Sequence, residues 1–192
     1  MAESPVESSR RRFFAEGLAG LLGRLADYLE GRLDLPAPRT WLRPPGAVCE
    51  DQFNDVCYRC GTCVELCPAN AITALHAPEE AAHGTPIIDA DLAACAICSD
   101  LLCMKNCPSG ALTAVANVHD IRMGIAIVSA GECVRLAGTA CTRCVDACPL
   151  GAHALRMHGA GPPDVMDPGC VGCGQCQLHC PTTPKAVVVK AL

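Results

Sequence analysis

Sixteen of the chain's seventeen cysteines fall into four quartets, and each quartet closes with Cys-Pro. They are Cys57, Cys60, Cys63 and Cys67; Cys95, Cys98, Cys103 and Cys107; Cys133, Cys141, Cys144 and Cys148; and Cys170, Cys173, Cys176 and Cys180. The first and fourth share the spacing C-x2-C-x2-C-x3-C-P, the bacterial signature of [4Fe–4S] ligation. The second is spaced 2-4-3 and the third 7-2-3. Four such runs in 192 residues predict sixteen iron-ligating thiolates and four [4Fe–4S] clusters.

The spacing has a physical cause. A cubane needs four thiolates directed at the corners of a tetrahedron, and one tight loop supplies only three of them. The short gaps let the backbone curl round the cluster with its N–H groups aimed at the sulfurs. Those hydrogen bonds, with burial and net charge, set the reduction potential. Gly61, Gly172 and Gly174 sit in the gaps, where close approach and positive φ are expected. The fourth cysteine is led away by Pro68, Pro108, Pro149 or Pro181, whose fixed φ and missing N–H turn the chain out of a short helix. In paired-cluster ferredoxins that fourth cysteine ligates the other cluster of the pair. The quartets are therefore expected to work in twos.

Other cysteine chemistries fit less well. A disulfide scaffold suits a small secreted chain, but neighbouring CxxC thiols do not staple distant loops. Structural zinc uses separated CxxC pairs, often with His. A thioredoxin-like CxxC needs a βαβ context that the sequence lacks. Cys49 is the leftover, with no partner motif, and reads as a small buried or partly exposed thiol or a spare ligand.

Three Phe, two Tyr and one Trp are too few for an ordinary core of this size. Clusters wrapped in Ala, Val and Ile would fill the interior, and the metal-free chain is expected to be largely unfolded. The formal charge is −5, which argues against nucleic acid as a partner. No apolar stretch approaches the roughly 18 residues that cross a bilayer.

From residue 57 onward the chain reads as four imperfect copies of one unit: cysteine loop, one helical turn, hairpin. The apolar segments 71–75, 111–115 and 152–155 are each expected to pair with a returning strand, at 86–89, 124–128 and 164–167; the fourth segment is 186–189. The fold class is therefore α+β, built from tandem bacterial two-cluster ferredoxin-like units over 47–192. A nested order, first quartet with fourth and second with third, is favoured because like spacing suggests like geometry. It would place Cys180 with Cys57, Cys60 and Cys63, and Cys67 with Cys170, Cys173 and Cys176. A sequential order is the alternative.

The amino-terminal segment, 1–46, is expected to hold an amphipathic helix over 11–32, since Phe14, Leu18, Leu21, Leu22, Leu25, Tyr28 and Leu29 share a helical face. Residues 33–46, with four prolines, are expected to form an extended tether. Ser9-Arg10-Arg11-Arg12-Phe13-Phe14 matches a twin-arginine export pattern, but the apolar stretch after it is short and interrupted by charge. The expected location is cytoplasmic, in association with a membrane, and the alternative is periplasmic through a degenerate export signal.

Several runs together resemble the ferredoxin-type NapG/MauM family: Trp41-Leu42-Arg43-Pro44-Pro45-Gly46-Ala47, Cys57-Tyr58-Arg59-Cys60-Gly61, and Cys103-Met104-Lys105-Asn106-Cys107-Pro108-Ser109-Gly110-Ala111-Leu112. Ile121-Arg122-Met123-Gly124, Cys141-Thr142-Arg143-Cys144 and Cys148-Pro149-Leu150 extend the match. The resemblance covers 41–192 and implies four [4Fe–4S] clusters on the sixteen cysteines above. It also implies electron passage from a quinol-oxidising membrane partner toward a periplasmic reductase, or service to a methylamine system.

The functional expectation is a non-catalytic electron carrier between donor and acceptor oxidoreductase subunits, with a peripheral membrane partner. The alternatives are a maturation or assembly partner of an oxidoreductase, and an electron-transferring subunit inseparable from a catalytic chain. Neither a GxGxxG loop nor a nucleophile elbow is present. His179 beside Cys180 reads as solvent-facing, and Glu79-Glu80 as solvated surface. Lys105 and Arg143, inside cysteine gaps, are expected to raise the local potential.

Overall fold

Short β-branched runs pair only where the chain returns to them, so the strand partners define the units. The computed structural model describes residues 41–78 and 80–192. The expected helix over 11–32, the first part of the tether and Glu79 lie outside those residues.

The first half contains α1 (Glu50–Val56), α2 (Thr62–Glu65), β1 (Ile72–Ala74), β2 (Pro86–Ile88) and α3 (Leu102–Lys105). The second contains β3 (Gly124–Val128), α4 (Arg143–Asp146), β4 (Leu155–Arg156), β5 (Asp164–Val165), α5 (Gln175–Leu178) and β6 (Val187–Ala191). Each half carries one antiparallel hairpin. β1 pairs with β2, with Ile72 opposite Ile88, and β4 pairs with β5, with Leu155 opposite Val165. Those two hairpins agree with the expectation from the sequence.

The middle hairpin does not form. Leu112 bridges instead to Ala47, ahead of the first quartet. β3 pairs with β6, from Gly124 opposite Ala191 to Val128 opposite Val187. The first half is thus closed by a single β-bridge and the second by a strand pair, each joining its half's beginning to its end. The nested order is corrected by this register: it would send the last strand back to the chain before Cys57, whereas that strand closes on the chain before Cys133. The units are tandem and sequential.

The apolar interior is small and built around thiols. Ile72, Ile88, Ile121, Met123 and Val171 form one cluster with Cys95 and Cys173, drawing on both halves. Phe53, Met104, Ala111 and Leu112 surround Cys57 in the first half. Ala126, Leu155 and Val187 surround Cys144 and Cys176 in the second.

The end of the expected tether is also corrected, because Arg43, Pro44 and Pro45 are fully buried. The Arg43 guanidinium pairs with the Glu50 carboxylate, donating from Nε to Oε2 at 2.9 Å. It also donates to Thr85 Oγ1 at 2.7 Å and to the Pro86 carbonyl at 3.1 Å. Its carbon lies 4.5 Å from the centre of the Phe53 ring. One cation therefore ties α1 to the β1–β2 hairpin. A buried cation survives only with its partners in place, which is why residues 43–45 belong to the folded body. Removing one member of a buried pair costs about 3–5 kcal/mol. Arg43→Ala is expected to lower the thermal unfolding midpoint markedly, and Arg43→Lys to fall between that variant and the parent. An unchanged midpoint for Arg43→Ala would contradict this role.

Candidate iron–sulfur centres

The third cysteine of every quartet lies inside a one-turn helix, and the fourth lies two residues past that helix's end: Cys63 and Cys67 on α2, Cys103 and Cys107 on α3, Cys144 and Cys148 on α4, Cys176 and Cys180 on α5. Four residues of helix advance about 6 Å, so the two thiols are offset along the axis. α2 packs beside α3, and α4 beside α5. Each helix can therefore serve a cavity at either end, and its neighbour serves the same two in the opposite sense.

Four cavities follow from this arrangement. The first is lined by Cys57, Cys60, Cys63 and Cys107. The second is lined by Cys67, Cys95, Cys98 and Cys103. Cys133, Cys141, Cys144 and Cys180 line the third, and Cys148, Cys170, Cys173 and Cys176 line the fourth. All sixteen expected residues are thus brought together in fours, with Cys107, rather than Cys180, beside the first triplet. Cys49 is exposed, precedes α1 and lines none of these cages. His179 is exposed and shares a hydrogen bond with the Gln175 carbonyl at 3.0 Å.

The cages suit a polynuclear cluster. Each is lined by four cysteines, with no His, Asp or Glu beside them, the all-thiolate donor set that [4Fe–4S] clusters take. Among the described residues, no three His, Cys, Asp or Glu side chains converge tightly enough for a single metal ion. No cysteine is joined to another.

The backbone of the cage loops is held where few residues go willingly. Gly61, Gly172 and Gly174 adopt φ of +79°, +73° and +88°, as their positions in the gaps predict. Arg59, Ile97 and Leu101 reach +53°, +49° and +45° without that licence, at about 1–2 kcal/mol each. Strain at Ile97, a β-branched residue, persists only where the surroundings over-determine it. Curling N–H groups round a bound cluster is such a demand.

Hydrogen bonds reach the sulfurs. The Ala71 N–H donates to Cys67 Sγ at 3.3 Å and the Leu112 N–H to Cys107 Sγ at 3.4 Å. The Thr62 hydroxyl lies 3.4 Å from Cys60 Sγ and the Thr182 hydroxyl 3.2 Å from Cys180 Sγ. The Thr62 contacts hold the Cys60 thiol below the ordinary range. At Cys107 and Cys180 burial pushes upward, yet hydrogen bonds with Ser109 and Thr182 and with nearby N–H groups outweigh it and leave both lowered. At several other cysteines burial wins. It pushes Cys63, Cys95 and Cys176 up to about 12, and Cys144 and Cys173 up to about 11. Neighbouring thiolates add to the effect at Cys63 and Cys176. Metal ligation deprotonates such thiols outright.

Among the described residues, Arg59 and Arg135 line cages. Lys105 and Arg143 are exposed and line none of the four. Arg59 lines the first cage and donates to the carbonyls of His83, Ala81 and Asn54 at 3.0, 2.9 and 3.3 Å. Arg135 lines the third and donates to the carbonyls of Gly161, Gly159 and Cys141 at 2.6, 2.8 and 3.1 Å. Each arginine clips a cysteine loop onto the turn of its own hairpin. The sequence signal was present: Arg59 stands inside the first gap, and Arg135 inside the long third one.

The 4Fe-4S dicluster domain family matches residues 56–111 and again 119–183, one match to each structural half. The methylamine utilization ferredoxin-type protein MauM of Methylorubrum extorquens is 35% identical over 193 residues, covering 92% of this chain and 86% of the relative. The ferredoxin-type protein NapG of Escherichia coli is 34% identical, covering 79% of this chain and 71% of the relative. NapG of Haemophilus influenzae is 33% identical, covering 98% and 74%.

The chain belongs to the ferredoxin-type MauM/NapG family. As a MauM/NapG-type ferredoxin it is an iron–sulfur electron-transfer protein, and its two dicluster domains indicate [4Fe–4S] clusters. Among the described residues, no helix is long and apolar enough to cross a membrane.

The glycines separate conformational from steric demand. A Cβ on Gly172 would sit 2.4 Å from the Gly124 backbone, whereas one on Gly61 meets nothing within 4 Å. Gly172→Ala is expected to lower iron content and stability together. Gly61→Ala should cost only its left-handed strain, about 1–2 kcal/mol, and keep its iron. Equal iron loss in the two variants would contradict the close-contact argument.

Proposed function

We propose that each cage holds one [4Fe–4S] cluster on its four cysteines and that the chain relays single electrons between a donor and an acceptor redox protein, with no substrate site of its own. The observation that carries this reading is the grouping of the sixteen thiols into four cavities, each taking three from one quartet and one from its sister. A bound [4Fe–4S] cluster supplies one-electron chemistry, with a potential tuned by charge, hydrogen bonds and exposure. The chain's own residues supply that tuning. Ala71, Leu112, Thr62 and Thr182 direct donors at sulfur, and Arg59 and Arg135 bring positive charge to the first and third cages.

A quinol-oxidising membrane partner as donor and an oxidoreductase as acceptor accord with the family resemblance. The carrier then works in the cytoplasm at the membrane surface, with export through the Ser9–Phe14 signal as the alternative. A maturation role is the second functional reading, and it demands clusters that leave readily. The burial of Cys95, Cys173 and Cys176 favours retention.

Anaerobically purified chain should contain about 16 iron per molecule and show four one-electron steps in a potentiometric EPR titration. Arg59→Gln and Arg135→Gln should each lower one midpoint, because loss of a nearby cation disfavours the added electron. Lys105→Ala and Arg143→Ala should leave all midpoints in place. Colourless, iron-free material that is still compactly folded would overturn the reading. Ready transfer of iron to an apo-enzyme would favour maturation.

A further inference from the structure

Where the two ferredoxin halves meet, the ligand loops of the second and fourth cages touch. The Cys95 N–H, in the second cage, donates to the Cys173 carbonyl, in the fourth, at 2.9 Å. Gln175 Nε2 donates across the same junction to the Ala94 and Cys95 carbonyls at 3.3 and 3.2 Å. Gln177 is buried: its Nε2 donates across the junction to Asp91 Oδ1 at 2.9 Å, and its Oε1 accepts the Val189 N–H of its own half at 2.7 Å. Gly174 lets the loops close, since a Cβ on it would meet Ala90 Cβ at 2.8 Å. Cys95 and Cys173 belong to one apolar cluster, which keeps water from the contact.

We propose that the cages form a single path in the order first, second, fourth, third, with the electron crossing between halves at the Cys95–Cys173 contact and with Gln175 and Gln177 as the positioning residues that hold it. This rests on the reading of four clusters above. Within each half the one-turn helices already couple the two cages, because each helix and the residues just past it give one thiol to each cage. The order along the path therefore differs from the order along the chain: the third quartet's triplet is terminal and the fourth's is internal. Each transfer moves one electron. It leaves a one-electron donor protein oxidised and a one-electron acceptor protein reduced, with no bond made or broken.

The test is magnetic. Spin–spin interaction between reduced centres falls with the cube of their separation. A full-length variant with Cys60→Ala and Cys141→Ala disables the first and third cages, and after dithionite reduction its EPR spectrum should show interacting centres. A second, with Cys98→Ala and Cys170→Ala, disables the second and fourth and should show two independent signals. Interaction in the second variant, or none in the first, would overturn the path. Iron below the level expected for two intact cages in both variants would instead count against the four-cluster reading.

Hydrogen exchange on the intact cysteine set tests the junction should those variants fold poorly. Gln177→Ala should speed exchange across residues 91–96 by about tenfold and leave residues 57–63 unchanged. Unaltered protection at 91–96 would remove Gln177 from its positioning role.

Discussion

The exchange of one cysteine between sister cages is the constraint on which the fold depends. A loop can bend three thiols round a centre, but the fourth must come from elsewhere in the chain. Here it arrives one helical turn beyond a neighbouring triplet. That single turn on α2, α3, α4 and α5 fixes the spacing of two cages, the pairing of two helices and the identity of a module in one step. Each half adds a short β-hairpin, and is closed by a single bridge in the first half and a strand pair in the second.

Cofactor and fold are consequently one problem in this protein. Few aromatic residues are available, and the apolar clusters that exist include ligand cysteines as members. Burial raises the thiols at Cys63, Cys95 and Cys176, so the polypeptide alone disfavours the charged state that metal ligation needs. The left-handed conformations at Ile97 and Leu101 point the same way. Each is a local cost that bound metal is positioned to offset. Arg43 is the main counterexample: it organises α1 and the first hairpin through ordinary buried hydrogen bonds.

Local features were legible in the sequence and long-range ones were not. Ligand cysteines, the positive-φ glycines and the hairpins at 72–88 and 155–165 follow from spacing, turn chemistry and β-branched runs, all of which act over a few residues. The order of pairing does not, because it is decided by which strand closes each half. Like gap lengths in the first and fourth quartets suggested kinship. Yet the extra residues of the third gap form a 3-10 turn, Val134–Ala137, that places Arg135 without altering the module. The role of Arg43 is also long-range, since a proline-rich run reads as a tether until its burial is seen. Lys105 and Arg143 are exposed on their helices, whereas Arg59 and Arg135 reach back over the loops.

Iron anomalous scattering from an anaerobically grown crystal of the whole chain tests the central claim most directly. Four iron sites are expected, the first bonded by Cys57, Cys60, Cys63 and Cys107, and the second by Cys67, Cys95, Cys98 and Cys103. An iron site that joined Cys180 to the first triplet, or cages without iron in a folded chain, would contradict the account.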